Sequence, residues 1–485
     1  LLLMLGGVFG GLIIGALPGL SAFTALAIML PFTFGMDPIN GLSFLMAVYV
    51  GGTSGGLISA ILLGIPGTPS SIATCFDGFP MAKNGEAKKA LGSAILFSFI
   101  GGIFGALVLA FIGPYIARIA LRFSSYDYFA IILFALTTVS ALSEGSMVKG
   151  LTSCCLGIAL AFVGTDGLSS VYRYTFGITK LSNGFSLVPV LIGLFAVSQI
   201  MMTARDKTKD SKVFDISEVP QKKYKGFGLT MSEFLRLIKI ASPCAVIGLV
   251  IGILPGLGGN VSNLMAYSYA KKTSKHPEKF GTGIVDGVIA SETANNATVG
   301  GAVIILLTLG IPGDNATSII LAGFQMHDMA PGPLLFETSG ELVYAILAAF
   351  IIANISFFIL EYFGLPIFAK MLSVPSTLLL PVVIVCCFVG SYCANNNTLD
   401  ILVMVLFGVL GYILKKHKYP LAPMVVGFIL APLLELYLRR SLMKTDGNFL
   451  PILQSPIAAV FLICTVITVA YTAYGEIKKL KATAA

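Results

Sequence analysis

Four Pro-Gly pairs interrupt apolar stretches of the sequence, and each is followed by residues that can bind a ligand. Proline removes a backbone donor and disrupts the preceding helical turn, and glycine permits a sharp reversal. Each pair should therefore end one half-helix and start another, whose free N–H groups carry about half a unit of positive charge. Four such helix starts meeting within a membrane would hold an anion without a buried arginine. The pairs are Pro18-Gly19, Pro66-Gly67, Pro255-Gly256 and Pro312-Gly313.

Neutral hydroxyl and amide side chains follow the breaks, and these residue types cap helix starts and offer uncharged oxygens. The predicted substrate-binding residues are Gly19, Leu20, Ser21, Gly67, Thr68, Ser70, Ser71, Gly256, Gly259, Asn260, Gly313, Asn315 and Thr317. Carbonyls freed by the breaks suit Na⁺, and two amides share one helix face with Glu292 at spacings of three and four residues. The predicted ion-binding residues are Pro18, Pro66, Pro255, Pro312, Asn295 and Asn296.

Each of these features also has a purely structural interpretation. A Pro-Gly pair can shape helix packing alone, since both residues are common in membrane helices. The recurrence of two pairs, each followed by polar residues, favours binding instead. Asn295 and Asn296 suit interhelical hydrogen bonding as well as an ion path. For Glu292, and for the polar cluster from Asn395 to Asp400, packing is the favoured explanation.

The composition indicates that these breaks lie in helices that cross a membrane. Of 485 residues, 56% are hydrophobic and 11% are charged, and the mean hydropathy is +0.91; soluble domains carry about 25% charge. Apolar runs of roughly 20 residues recur along the chain, which is the length of a transmembrane helix. We therefore predict an all-α polytopic membrane protein without strands. Because Leu1 lies inside an apolar run, we expect part of the first span to precede it.

The sequence lacks the motifs of common enzyme classes. It has no Walker A sequence and no dinucleotide fingerprint. The eight cysteines and three histidines show no metal or redox spacing, so we expect free thiols. The net charge of +8 comes from Lys and Arg in short connections between spans, which does not indicate nucleic-acid binding. We predict that the protein is not an enzyme and that it uses no cofactor, with Na⁺ as its coupling ion.

The breaks belong to an internal duplication. Pro255 repeats Pro18 and Pro312 repeats Pro66 at nearly equal separations along the chain, and residues 187–193 resemble residues 421–427. Paired interrupted spans in two repeats are typical of secondary transporters. The predicted domains are an N-terminal transmembrane repeat (1–203), a basic cytoplasmic linker (204–236), a C-terminal transmembrane repeat (237–437), and an extra C-terminal span with a tail (438–485).

The basic connections exchange places between the two repeats. Residues 34–40 contain no Lys or Arg, whereas their counterparts at 271–279 are basic; residues 83–89 are basic, whereas their counterparts at 327–337 are not. Basic loops stay in the cytoplasm, so this exchange predicts two repeats of inverted topology with broken helices in re-entrant hairpins. The pair Arg439-Arg440 contradicts this pattern, because it falls on the predicted outer side.

These motifs together resemble the large membrane subunit of the tripartite tricarboxylate transporters, over about residues 10–435. The motifs that carry the resemblance are Leu17-Pro18-Gly19-Leu20, Ile65-Pro66-Gly67-Thr68-Pro69, Asp77-Gly78-Phe79-Pro80-Met81-Ala82-Lys83, Leu254-Pro255-Gly256, Glu292-Thr293-Ala294-Asn295-Asn296-Ala297 and Leu309-Gly310-Ile311-Pro312-Gly313. The glutamate motif has Thr293 at the family's variable position.

The resemblance implies a multi-pass protein of the bacterial inner membrane that forms the translocation pathway of a three-part system. Its partners would be a small four-span membrane subunit and a periplasmic solute-binding protein. The substrates would be carboxylates such as citrate, imported on an ion gradient, Na⁺ or H⁺, by an elevator-like movement. Two alternatives stay open from the sequence: an uncoupled organic-anion channel or exporter, and uptake coupled to H⁺ instead of Na⁺.

Overall fold

The computed structural model describes residues 1–17, 20–141, 146–205, 220, 222, 224–371, 376–393 and 395–484, and its chain is mainly helical. The first half contains α1 (Leu2–Ala16), α2 (Ala22–Met29), α3 (Pro38–Leu63), α4 (Ile72–Met81), α5 (Ala87–Ala120), α6 (Ser125–Ala141), α7 (Met147–Ala161), α8 (Leu187–Leu191) and α9 (Ser198–Arg205). The second half contains α10 (Met231–Ile253), α11 (Gly258–Thr273), α12 (Val285–Leu309), α13 (Asn315–Met326), α14 (Leu335–Thr338), α15 (Gly340–Met371), α16 (Ser376–Cys393), α17 (Thr398–Lys416), α18 (Leu421–Lys444), α19 (Leu450–Gln454) and α20 (Pro456–Ala484).

Several of these helices are long and apolar enough to span a lipid bilayer. In the described ranges, eight helical stretches meet both criteria, and shorter apolar helices accompany them. A π-helical turn at Ile192–Val197 joins α8 to α9. The prediction of a polytopic helical membrane protein is thus confirmed. The predicted linker falls partly outside the described residues, and its last part, from Met231, already belongs to α10.

The expectation of no strands is wrong at one place. Residues 164–165 (β1) and 172–173 (β2) form a two-residue antiparallel hairpin in the connection between α7 and α8. The connection lies between spans, where backbone groups can pair locally without closing a barrel. In this hairpin and the adjoining α18, Arg173 lies 2.8 Å from Asp166 and 2.9 Å from Glu435. Arg439 lies 2.8 Å from the same Asp166, so its charge at the predicted outer side is compensated.

In each half, the helix before the second break ends in the same way, and the helix after it also begins in the same way. Helix α3 ends at Gly64 with φ 68°, and α12 ends at Gly310 with φ 72°, a left-handed conformation that suits glycine. The next helix begins in each case with a reciprocal capping box. Thr68 caps the turn before α4, and Asp314 caps α13. The two caps are as far apart in the sequence as the prolines that precede them.

The helix pairs before the breaks are packed at backbone contact distance. A methyl group added to Gly15 of α1 would overlap the carbonyl oxygen of Gly52 in α3. In the second half, a methyl group on Gly252 of α10 would overlap the carbonyl oxygen of Thr298 in α12. Small residues allow such close approach between membrane helices. The same contact therefore recurs at the positions related by the sequence duplication.

Hydrogen bonds between the two halves bring their connecting segments together at two ends of the molecule. At one end, Asp77 of α4 accepts hydrogen bonds from the backbone N–H groups of Gly281, Gly283 and Ile284, at 2.8 to 3.0 Å. At the other end, the Thr33 hydroxyl donates to the sulfur of Met326 at 3.7 Å. The two predicted basic connections, 83–89 and 271–279, therefore belong to the same end.

Candidate functional site

The breaks border a single cavity of about 550 Å³. Residues from all four break regions contribute to its wall, because α2, α4, α11 and α13 all start beside it. The predicted residues that line it are Ser21, Thr68, Ser70, Gly256, Gly259, Asn260, Asn295 and Asn315. Phe23 and Phe195 form an apolar part of the wall, with ring centroids 4.6 Å apart. The structure thus brings together residues from both halves around a space large enough for a small organic ligand.

Other predicted residues support the cavity from behind. Ser71 and Thr317 close the capping boxes of the two second breaks. The amide of Asn296 donates to the carbonyl of Glu292 in its own helix at 3.1 Å, as a structural residue would. The predicted residues outside the cavity lining are Leu20, Gly67, Ser71, Gly313, Thr317, Asn296, Pro66, Pro255 and Pro312. Pro18 and Gly19 lie outside the described residues.

Gly67 and Gly313 are packed too tightly for any side chain. A methyl group at Gly67 would lie 2.5 Å from the carbonyl oxygen of Gly15, and one at Gly313 would lie 2.5 Å from Cα of Ala302. The tips of the second half are also joined directly, because the N–H of Gly256 donates to the carbonyl of Gly313 at 2.7 Å. Both glycines therefore fix the position of the helix start that follows them.

Asn295 is the most incompletely bonded polar residue in the wall. Its side chain is buried, at 1% relative exposure, and neither its amide oxygen nor its amide nitrogen makes a hydrogen bond of normal geometry among the described residues, although the carboxylate of Glu292 on the same helix lies near the amide. It faces the start of α11, where a methyl group on Gly259 would lie 2.5 Å from its oxygen and 2.7 Å from Cβ of Ser70. A buried amide without partners costs free energy, so this position is suited to a ligand that supplies them.

The equivalent position in the other half is already bonded. Tyr49 precedes Asn295 by the same number of positions as Thr68 precedes Asp314. The Tyr49 hydroxyl donates to the Asp314 carboxylate, whose other oxygen accepts from the N–H and hydroxyl of Thr317 at 2.8 Å. Neither member of this pair is among the site residues predicted from the sequence, although Asp314 directly follows the Pro312-Gly313 break.

Two lysines line the cavity where it reaches the surface. Lys415 lies in the last turn of α17, the exposed Lys418 lies in the connection to α18, and Tyr419 follows it in the wall. The Lys415 ammonium donates to the Gln199 side chain at 2.8 Å. Neither lysine is among the residues predicted from the sequence to bind substrate or ion. The available signal was the position of this basic run directly before residues 421–427, which belong to the duplicated segment.

The charged residues in the described lining are Asp314, Lys415 and Lys418. The two ammonium groups favour an anionic ligand, and the carboxylate of Asp314 is hydrogen-bonded within the protein. No group of three His, Cys, Asp or Glu side chains in the described part of the chain could hold a metal ion. A monovalent cation at the tips would therefore be bound by hydroxyl, amide and backbone oxygens.

Comparison with known proteins identifies the family of the chain. The model of the tripartite tricarboxylate transporter TctA family matches residues 1–426. The chain belongs to this family. It is 35% identical over 465 residues to an uncharacterized 52.8 kDa protein in the TAR-I ttuC' 3'region of Agrobacterium vitis, covering 95% of this chain and 91% of the relative. It is also 36% identical over 212 residues to an uncharacterized protein in the TAR-II ttuC' 3'region of the same organism, covering 44% and 88%. No solved structure matches the chain.

Membership confirms the resemblance carried by the Pro-Gly motifs. A member of this family is a subunit of a tripartite transport system, which agrees with the multi-pass membrane fold. A transporter component is not expected to be an enzyme.

Proposed function

We propose that this chain is the translocation subunit of a binding-protein-dependent secondary transporter that imports citrate-like carboxylates on an Na⁺ gradient. The observation that carries the proposal is the cavity itself. The starts of four interrupted helices meet there, two lysines supply positive charge, and Asn295 lacks a partner. Discontinuous helices of this kind bind substrate and coupling ion in secondary transporters.

The carboxylate is held by backbone dipoles and by neutral side chains. Helices α2, α4, α11 and α13 each direct free N–H groups and a partial positive charge toward their starts. Ser21, Thr68 and Asn260 add hydroxyl and amide donors to the wall. Lys415 and Lys418 raise the local concentration of anions, because fields in a cleft with low-dielectric walls are focused. Phe23 and Phe195 bind the carbon skeleton of the substrate.

Na⁺ binds beside the substrate, at the oxygen of Asn295. The hydroxyls of Thr68 and Ser70 lie 3.0 Å from each other at the same tip. Carbonyls freed at the breaks after Pro66 and Pro255 complete the shell, which accounts for the predicted roles of these prolines. The nearby substrate carboxylate then balances the charge of the ion, so that each increases the affinity for the other.

The two repeats lie in opposite orientations in the bacterial inner membrane. The end that holds residues 83–89 and 271–279 is rich in lysine, so the positive-inside rule assigns it to the cytoplasm. Lys149, at the start of α7, donates to the carbonyl of His417 at 2.8 Å, which adds a lysine beside the surface opening of the cavity. The same rule assigns this lysine-rich opening to the cytoplasm. The cavity then faces inward, and an elevator-like movement of the tips would open it outward.

The partners are a small four-span membrane subunit and a periplasmic solute-binding protein that delivers the substrate to the outer end. This division follows from the tripartite family. Selectivity among carboxylates is then shared between the delivery protein and the cavity.

Uptake of labelled citrate into proteoliposomes tests the proposal. The three components are reconstituted together, and uptake is measured with and without an inward Na⁺ gradient. We expect accumulation above the external concentration, dependent on Na⁺ and on the binding protein. Equilibration without accumulation would indicate an uncoupled channel, and efflux alone would indicate an exporter. Locking the tips to α6 or α7 by a crosslink should stop uptake, and continued uptake would contradict the elevator movement.

A further inference from the structure

A second buried carboxylate lies away from the cavity, on α15. Glu361 has 0% relative exposure and is not part of the cavity wall. One of its oxygens accepts a hydrogen bond from the hydroxyl of Ser54 in α3 at 2.8 Å. The other oxygen is buried without any partner among the described residues. Nothing in the proposed substrate site makes use of this group.

No basic side chain compensates Glu361 from the helices packed against it. Helices α1 and α3 contain no Lys, Arg or His, and α14 contains none either. Helix α5 has Lys88, Lys89 and Arg118, which lie near its two ends. The tyrosines of these helices are Tyr49, which bonds Asp314, and Tyr115. On α15 itself, the other titratable side chains that the structure describes are those of Glu341, Tyr344 and Tyr362.

A further buried carboxylate, that of Glu292 in α12, supplies no positive charge to Glu361 either. Glu292 accepts hydrogen bonds from two hydroxyls, those of Thr74 and Ser98. An ionised carboxylate without a partner is costly in a low-dielectric interior. Glu361 must therefore be neutral or bind a cation in this conformation.

A proton fits this position better than a metal ion. Hard cations take six or more oxygen ligands, and the described surroundings of Glu361 supply one hydroxyl besides the carboxylate itself. We infer that Glu361 is a proton-binding site, which takes up one H⁺ from the outer solution and releases it to the cytoplasm in each import cycle. The inference rests on the proposed transport function and adds a second coupling ion to it. No electron transfer is involved, since the proton moves on and off one oxygen.

The position of Ser54 explains how the protonation state of Glu361 affects the substrate site. Ser54 lies on α3, two residues before Gly56, where an added methyl group would be 2.5 Å from the hydroxyl of Thr68 in the cavity wall. Tyr49 of the same helix bonds Asp314 in the opposite wall. Loss of the proton places an uncompensated charge between α15 and α3, so α3 and its attached tip are displaced from this packing. The position of α3, the helix that precedes the second break of the first half, thus depends on the protonation state of Glu361.

The test separates proton coupling from transport itself. The complete reconstituted system is used as the wild type, as Glu361→Gln, and as the control Glu341→Gln, whose side chain is exposed at the start of α15. The outer pH and the Na⁺ concentration are held constant, so that the charge of external citrate does not change, and only the inner pH is varied. Exchange of labelled for unlabelled citrate is measured at equal pH, because exchange needs the cavity but no net proton movement.

An alkaline interior should stimulate net uptake in the wild type and in Glu341→Gln. In Glu361→Gln we expect that stimulation to fall ~10-fold or more, the change produced by about 1.4 kcal/mol, while exchange continues. A dye inside the vesicles should report acidification during citrate uptake only when Glu361 is present. Stimulation that persists in Glu361→Gln, or wild-type uptake without acidification, would overturn the proton site. Absence of exchange in the wild type would instead count against the proposed function.

A milder variant guards against misfolding of Glu361→Gln. Ser54→Ala removes the one hydrogen bond to the carboxylate and leaves the acid in place. It should shift the inner pH at which stimulation is half-maximal, with exchange unchanged. An unshifted profile would show that Ser54 and Glu361 do not form a coupling site.

Discussion

The second break of the first half, at Pro66-Gly67, and the second break of the second half, at Pro312-Gly313, have similar backbone conformations. The side chains beside the two breaks are bonded differently. In the second half, Asp314 caps α13 and is bonded by Tyr49 from the other half. At the first-half break, Thr68 occupies the place of Asp314, and Asn295, contributed by the second half, occupies the place of Tyr49 without a hydrogen bond of normal geometry from the described protein. The duplication therefore builds two equivalent positions, of which one is closed by the protein and one is open to a ligand.

The comparison separates shared architecture from local chemistry. Glycine contacts and capping boxes are common to both halves, since they determine where each helix stops and restarts. The four residues that differ between the two second breaks, Tyr49, Thr68, Asn295 and Asp314, all line the cavity. Tyr49 and Asp314 are hydrogen-bonded to each other and make one part of the wall rigid. The buried amide of Asn295 in the other part lacks hydrogen bonds, and a ligand that supplies them is stabilised there.

The largest effect is expected where the two breaks are alike. Gly67→Leu and Gly313→Leu should each reduce uptake to background, because a side chain there would overlap backbone 2.5 Å away. Gly6→Leu is the matched control, since nothing lies within 4 Å of a methyl group at that exposed position. Uptake is measured together with the amount of monodisperse protein extracted from membranes. Loss in one half alone would break the equivalence of the two tips.

The next prediction concerns the residues that differ. Tyr49→Phe should lower the unfolding temperature of the detergent-purified protein, because a hydrogen bond to a charged group contributes about 1.5–3 kcal/mol. Asn295→Ala should leave the unfolding temperature nearly unchanged and weaken citrate or Na⁺ binding by ~10-fold, equivalent to about 1.4 kcal/mol. Binding is measured calorimetrically on the same preparations.

Asn296→Ala serves as the control for Asn295→Ala. Its amide bonds within its own helix and does not line the cavity, so binding should be unaffected. Equal losses of affinity for the two asparagines would mean that Asn295 has no special role. A strongly destabilised Asn295→Ala protein would show that its amide is bonded within the fold.

The lysines at the opening should have a smaller effect. Lys415→Gln should raise the KM for citrate about fivefold, since one charge at 4 Å contributes roughly 1 kcal/mol in water. Lys416→Gln, one residue further along α17, removes an equal charge that is exposed and outside the cavity wall. The difference between the two variants should shrink as salt is added. An equal change in KM for both variants would show that Lys415 acts only through the general surface charge and not through its place in the cavity wall.

Sequence alone predicted the shared part of the two breaks better than the part in which they differ. Pro-Gly pairs and following hydroxyls are local signals, and they correctly indicated which segments surround the cavity. The partner of Asp314 is Tyr49, which is 265 residues away, so no local pattern could reveal that bond. Lys415 was not predicted as a cavity residue, because a basic run before a helix is typical of any cytoplasmic loop. The short hairpin at residues 164–173 depends on charges contributed by distant α18.

The smallest effect should come from that hairpin, where Asp166 is paired with arginines, whereas Asp314 is bonded by neutral donors. Hydrogen bonds from Ser169, then from Arg439, hold the pKa of Asp166 below its usual range, and Arg173 adds to the effect. A lowered pKa contributes stability above the unfolded value of about 3.9, and this contribution is lost as the pH falls through the folded value. Asp166→Asn should therefore lower the unfolding temperature slightly at neutral pH, and the difference from wild type should close in acid. Uptake should stay unchanged, because the Asp166 cluster lies outside the cavity wall. A transport defect in Asp166→Asn would show that the functional region extends from Asn295 to the hairpin at residues 164–173.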